Sequence, residues 1–314
     1  MAMTLIADIG ATNARFALAD GHGGYDGVRV YACANYPQFA DAITHYCAES
    51  GVAPTRAVVS IAGPLDGSDI IRMTNHVWEF SIQQTAAAFG WSALRVVNDF
   101  TAVALSVPHL QDGRDFYAVG NGQRQPGAPI AIIGPGTGLG VAGICFDVEG
   151  RPVILSTEGG HVSVPVQTAR EFAVVDWLLH NKYSHVSAER VASGKGLVNV
   201  YNALCALDGI DPRYDDPAVI MREGLAGGDK QSHEAVDLFC HWLGSVAGNL
   251  ALSYGAFGGV YIAGGIVPQM GDAFATSRFR DSFLSKGRYR GYLDRIATVV
   301  ITHPQPGLLG LAAL

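Results

Sequence analysis

TLIADIGATNARFALAD, residues 4–20, decides the architecture. Residues 4–9 are apolar apart from Thr4 and Asp8, a Gly-Ala-Thr-Asn step interrupts them, and residues 14–19 resume the apolar run with Arg15 as its one charged member. That order predicts a strand, a tight turn and a returning strand. The plan recurs at PIAIIGPGTGLGVAGICF, residues 129–146, with Gly136, Thr137 and Gly138 in the turn. Two such openings imply an α/β chain whose fold is duplicated internally.

Outward from the first hairpin, residues 28–33 supply a third strand and residues 37–50, opening on Pro37, carry helical spacing. AVVSIAGP (57–64) and LRVVND (94–99) read as buried strands. Beyond the second hairpin, RPVILS offers a third strand, and helices are expected near 169–181, 187–192, 196–208, 216–226 and 232–254. A strand at 259–263 runs into AGGIVP, and IATVVITH is one more. SVPHLQDGRD (106–115) is the best linker and candidate hinge, followed by a polar patch at 120–127. The tail GLLGLAAL is expected to cross back to the first half. The expected division is a small α/β domain, 1–109 joined by 301–314, and a large one, 110–300.

With 314 residues, 49% hydrophobic and 16% charged, the chain has apolar material for two sizeable cores. Its net charge of -7 is spread without acidic or basic blocks, which argues against a nucleic-acid surface and an anionic membrane as partners. Cys33, Cys47, Cys145, Cys205 and Cys240 form an odd set without a C-x-x-C pair, so a reducing, cytoplasmic setting is expected. The opening residues lack the basic stretch of a secretory signal. The uncharged stretch 238–271 is long enough for a membrane span. His241, Asn249, Ser253, repeated glycines and Pro268 divide it instead into a helix ending near Tyr254 and a short strand.

Chemistry is suggested by ADIGATN (7–13), GPGTGLG (134–140) and AGGIVP (263–268), because glycines bring backbone N–H groups close to phosphate oxygens. A Walker loop is absent, since GKG at 194–196 lacks the upstream glycine and the following hydroxyl. Gly138, Gly140 and Gly143 match the spacing of a dinucleotide fingerprint, with Glu158 about 20 residues on. The residues that follow, Val141, Ile144, Cys145 and Phe146, favour a strand where the fingerprint needs a helix. Asn98 and Asp99, at the junction of an apolar run and a helical pattern, suit either a helix cap or a catalytic carboxylate. Glu158 and His161 flank Gly159 and Gly160, a spacing that lets a tight turn aim both at one ligand; a zinc pair would lack further ligands.

DIGATNARFAL, TNHVWEFS, VVNDFTAVAL, IGPGTGLGVAG, EGGHVSVP, HVSAERVASGKGLVNVY and IAGGIVP stand in an order that resembles the bacterial ATP-dependent glucokinases, over almost the whole chain. The resemblance implies a duplicated actin-like ATPase (ribonuclease H-like) fold of the hexokinase superfamily, with two domains, an interdomain cleft and usually a homodimer. It implies glucose and ATP as ligands. Asn98 and Asp99 would touch the sugar near the hydroxyl to be phosphorylated, and Glu158, His161 and Glu189 would hold the other hydroxyls. Ala7, Asp8, Ile9, Gly10, Ala11, Thr12 and Asn13 would form one phosphate loop and Gly136, Thr137 and Gly138 the other, with Gly264 and Gly265 near the adenosine. Ala11 departs from the family pattern, which often has glycine there; at positive φ, alanine would cost about 1 kcal/mol. The family's zinc-binding relatives carry a cysteine-rich motif that is missing here.

Phosphoryl transfer to a sugar is chiefly positioning and charge stabilisation, so Mg2+ is expected beside the phosphates, with Asp8 as its candidate carboxylate. Asp99 fits the base that takes the hydroxyl proton. A kinase for another hexose or an amino sugar, and a sensing protein without turnover, stay open as alternatives.

Overall fold

A computed structural model of the chain describes residues 3–63, 65–73 and 78–314. Pro64, the last residue of AVVSIAGP, and residues 74–77, the first half of TNHVWEFS, lie outside the described residues. The chain divides into two compact units, Met1–Gln111 with His303–Leu314, and Asp112–Thr302.

The first unit runs β1 (Thr4–Ile9), β2 (Asn13–Ala19), β3 (Tyr25–Ala32), α1 (Phe39–Ser50), β4 (Arg56–Ile61), β5 (Ile70–Arg72), β6 (Glu79–Ser81), α2 (Ile82–Ala88), β7 (Leu94–Asn98) and α3 (Asp99–Ser106). Its main sheet has the order β3-β2-β1-β4-β7. The first three strands are antiparallel neighbours, whereas β1, β4 and β7 run parallel. Burial of both faces of β1 explains why it reads as apolar apart from Thr4 and Asp8. Leu5, Ala7 and Ile9 pack with Phe16, Phe39, Ile43 and Tyr46, while Ile6 packs with Ala17, Val58 and Ala102 in a separate cluster. A parallel strand covered on both faces has no polar side to show.

The second unit runs β8 (Phe116–Val119), β9 (Ile130–Pro135), β10 (Leu139–Phe146), β11 (Pro152–Thr157), α4 (Ala169–Asn181), α5 (Gly194–Leu207), α6 (Pro217–Ala226) and α7 (Lys230–Tyr254). It continues with β12 (Gly259–Ile262), α8 (Ile266–Met270), α9 (Asp272–Ala275), α10 (Phe279–Leu284), α11 (Arg290–Asp294) and β13 (Thr298–Ile301). Its sheet order is β11-β10-β9-β12-β13-β8. The first five strands repeat the order and directions of the first sheet, so the expected duplication is realised. One expected helix differs: 187–192 holds only a 3-10 turn, Ala188–Arg190, because Ser193 caps a new helix by accepting the N–H of Gly196.

The uncharged stretch resolves as expected into α7, which ends at Gly255 in the left-handed region, and β12. Helix α7 is long and apolar enough for a membrane span, but 78% of its most apolar window is buried inside the protein, where Phe239, Trp242, Leu243 and Val246 join the core. The final helix, α12 (Pro306–Ala312), packs on α3 and β1 of the first unit. Contact there is close: a Cβ added at Gly310 would lie 1.8 Å from the carbonyl oxygen of Ala102.

Within the core of the second unit, His241 Nε2 lies 3.2 Å from Glu171 Oε1 and Nδ1 lies 2.8 Å from Ser282 Oγ. Burial pushes the imidazole below the usual 6.5, against the pull of Glu171; Asp237 also raises it and Arg278 lowers it. Below pH 6.5 the unfolded chain therefore binds a proton at this residue that the folded chain refuses, and stability falls as pH falls. Thermal melts from pH 6.5 down to about 5 are expected to show a shallower loss of Tm in His241→Gln than in the wild type. Parallel pH profiles would remove His241 as a source of the acid sensitivity.

Candidate active site

In the first unit, Ile9, Ile61 and Asn98 are register partners across β1, β4 and β7. The turn after β1 and the start of α3 therefore leave the same edge of the sheet, at the carboxyl ends of its parallel strands, where open α/β sheets bind ligands. Gly10 donates its N–H to Asn13 O at 3.0 Å, and Cys33 N–H donates to Thr12 O at 2.9 Å, which fixes the turn from its base. Ala11 and Thr12 are exposed at its tip.

Asp8, near the end of β1, accepts the Ser60 hydroxyl at 2.7 Å, and the Arg15 guanidinium stands 3.9 Å away. Desolvation raises its pKa above the usual carboxylate value, and these two partners offset part of that rise. The start of α12 closes over it, since a Cβ at Gly307 would be 3.1 Å from its carboxyl carbon. As donor chemistry for Mg2+ the site fits: that ion binds through one or two carboxylates, keeps several waters and takes the rest from substrate phosphates. Among the described residues no cluster of three or more His, Cys, Asp or Glu forms a metal cage.

The junction at 98–99 assigns the capping role to Asn98. Its Oδ1 accepts the N–H groups of Phe100 and Thr101, and its Nδ2 donates to Gly63 O at 3.1 Å. Asp99 is the first helical residue, with Oδ1 accepting the Phe100 N–H at 2.9 Å. Cap and carboxylate are thus separate residues.

In the second unit, the EGGH segment makes a 3-10 turn, Gly159–His161, seated on β10. The turn is built for glycine: a Cβ at Gly160 would lie 1.9 Å from Leu139 O, and one at Gly159 would lie 2.7 Å from a methyl of Val141. Glu158 and His161 end 3.9 Å apart with 57% of each side chain exposed, so both tips converge on one accessible point. The Ala188–Arg190 turn is tied to the same segment through Ala188 N–H to Val162 O at 2.8 Å. Glu189 accepts the N–H of Leu139, the residue after Gly138, at 3.0 Å. The structure therefore brings Glu158, His161, Glu189 and the 136–138 turn into one group within this unit. Asn98, Asp99 and Asp8 belong to the first unit.

Beside that turn opens a cavity of 420 Å³, lined among others by Gly136, Thr137, Lys195, Met221, Ile266 and Gln269. Gly194 N–H donates to Gly136 O at 2.8 Å, which sets the start of α5 against the turn. Gly264 and Gly265 do not line the cavity; Ile266 and Gln269 just beyond them do. Gly264 has φ +84° and a Cβ there would be 2.3 Å from Pro135 O, so it turns the chain tightly against β9. Sequence reasoning missed Lys195, Pro217, Ala218 and Met221. Lys195 carried a signal, a lysine between glycines after the capping Ser193, whereas α6 contributes its three residues from a segment with no motif.

A family model described as Glucokinase matches residues 5–314. The chain is 49% identical to the glucokinase of Paramagnetospirillum magneticum over 314 residues, covering 99% of this chain and 97% of that one. It is 45% identical to the glucokinase of Nitrobacter hamburgensis, covering 100% and 97%. The crystal structure of a glucokinase from an Antarctic psychrotroph superposes with a TM-score of 0.87 at 34% identity, over 100% of this chain and 98% of that one. The duplicated sheets, the glycine-seated EGGH turn and near-complete coverage of these relatives agree: the chain belongs to the glucokinase family.

Proposed function

We propose that the protein transfers the γ-phosphoryl group of ATP to the 6-hydroxyl of glucose, with Asp99 as general base. It is an ATP-dependent glucokinase, and the observation that carries the reading is the grouping of Glu158, His161 and Glu189 with the 136–138 turn and its cavity in one unit.

Glu158, His161 and Glu189 hold vicinal sugar hydroxyls; two carboxylates and an imidazole supply acceptors and a donor on short stems. The amide of Asn98, already spent on Phe100, Thr101 and Gly63, retains one N–H for a sugar oxygen. The apolar cavity takes the adenosine, and its volume is that of a small-ligand pocket. Lys195, Gly136 and Thr137 at its wall face the phosphates. Gly10, Ala11, Thr12 and Asn13 form the other phosphate loop. Asp8 would hold magnesium directly or through water, and the ion would supply charge that offsets the phosphates. Asp99 accepts the hydroxyl proton as the new P–O bond forms. The free cysteines suit a cytoplasmic enzyme, and we place it there as a homodimer.

The test is ADP release from Mg-ATP in the presence of glucose, mannose, fructose, N-acetylglucosamine or no sugar. Release with glucose far above the other sugars is expected. Stronger turnover of another sugar would transfer the assignment to that hexose, and binding without turnover would leave a sensing protein.

A further inference from the structure

We infer that Glu189 is a positioning residue for the phosphoryl donor as well as a sugar contact, and that through it sugar and nucleotide affinities are linked. The inference rests on the proposed roles of the 136–138 turn and of Glu189 at the sugar.

The carboxylate is seated on the turn. Oε2 accepts the N–H of Leu139 at 3.0 Å, although Leu139 is already in register with Pro135 across the hairpin. A Cβ added at Gly138 would fall 2.4 Å from that same oxygen, so only glycine leaves room for the carboxylate there. The backbone of Glu189 is held in turn. Ser193 Oγ donates to its carbonyl at 2.8 Å, and Gly196 packs so closely that a Cβ would be 2.9 Å from that oxygen. From the other side, Gly194 N–H holds Gly136 O, and Gly136 N–H closes the turn on Gly138 O, each at 2.8 Å.

The turn is thus gripped at both ends, at Gly136 by the start of α5 and at Leu139 by a charged side chain. Hydrogen bonds to a charged acceptor are stronger than neutral ones. Oε1 of Glu189 has no hydrogen bond among the described residues, which leaves one oxygen for a sugar hydroxyl while the other keeps the turn. Gly136 and Thr137 of that turn line the cavity assigned to the donor. A group that touches both ligands makes their affinities reciprocal, since whatever moves the carboxylate for one ligand alters the site of the other.

Calorimetric titrations of a non-hydrolysable ATP analogue without sugar, and of glucose without nucleotide, decide the matter in wild type, Glu189→Ala, Glu189→Gln and Gly138→Ala. Glu189→Ala is expected to weaken the nucleotide about 10-fold in the absence of sugar, the size of one lost charge-assisted hydrogen bond. Glu189→Gln, whose amide oxygen accepts the same N–H, is expected to recover most of that loss. Gly138→Ala, which evicts the carboxylate, is expected to weaken glucose about 10-fold although position 138 lies on the donor side. Unchanged nucleotide affinity in Glu189→Ala overturns the clamp, and unchanged glucose affinity in Gly138→Ala overturns the linkage. Failure of the underlying reading looks different: the wild type itself would then bind neither glucose nor the nucleotide.

Discussion

Asp99→Asn is expected to lower glucose phosphorylation about 10²–10⁴-fold, the range for losing a general base, while glucose still binds. The separation of roles at the head of α3 makes this a clean experiment. Asn98 caps the helix by accepting the N–H groups of Phe100 and Thr101, so the cap survives the substitution. An asparagine oxygen at position 99 can still accept the Phe100 N–H that Asp99 now holds. The fold also loses a negative charge at a helix N-terminus, a contribution of about 0.3–1 kcal/mol. A melt close to wild type together with a collapse of kcat would identify a base. Preserved kcat would reduce Asp99 to a charge that stabilises α3.

Gly160→Ala is expected to damage catalysis from a position that bears no chemistry. Its Cβ would stand 1.9 Å from the carbonyl oxygen of Leu139, which is backbone in a paired strand and cannot swing aside. The 3-10 turn must lift off β10, carrying Glu158 and His161 with it. Overpacking of this kind costs about 1–3 kcal/mol, and misplacing binding groups by about 1 Å costs roughly 10²-fold in rate. The expected result is a fall of that order in kcat/KM for glucose with a lowered Tm. Because Leu139 also donates to Glu189, nucleotide binding is expected to suffer too. Wild-type kcat/KM in this variant would show that the turn does not aim those two side chains at the sugar.

Much of this was legible along the chain, for local reasons. Glycine turns between apolar runs marked both hairpins, and β4 and β7 showed as short buried runs because parallel strands are covered on both sides. Strand β8 escaped notice: FYAV lies between a linker-like stretch and a polar patch, and its partner is β13, Phe116 against Ile301. No local pattern encodes a pairing across so much sequence. The 3-10 turn at Ala188–Arg190 resembled a helix because Val191 and Ala192 are apolar, but they are buried as part of the core rather than as a helical face. At the candidate site, the motifs supplied the polar residues, while the cavity wall came from α6, whose Pro217, Ala218 and Met221 become neighbours of Gly136 only after folding. The clamp by Glu189 was invisible for the same reason, being a side chain bonded to a backbone amide fifty positions away.

Helix α12 gives the chain an unusual assembly schedule. Ile6, Val58 and Ala102 share a core with Leu308 and Leu311, so one side of the first sheet has only α3 as partial cover until residues 306–312 are available. On a ribosome, the N-terminal segment emerges first yet is completed last, after the contiguous Asp112–Thr302 unit has left the exit tunnel. Domains usually mature in the order of synthesis. Here the interrupted unit must wait, with Ile6 and Val58 lacking their final partners, and a nascent chain stalled before residue 306 is expected to recruit chaperones to that sheet face.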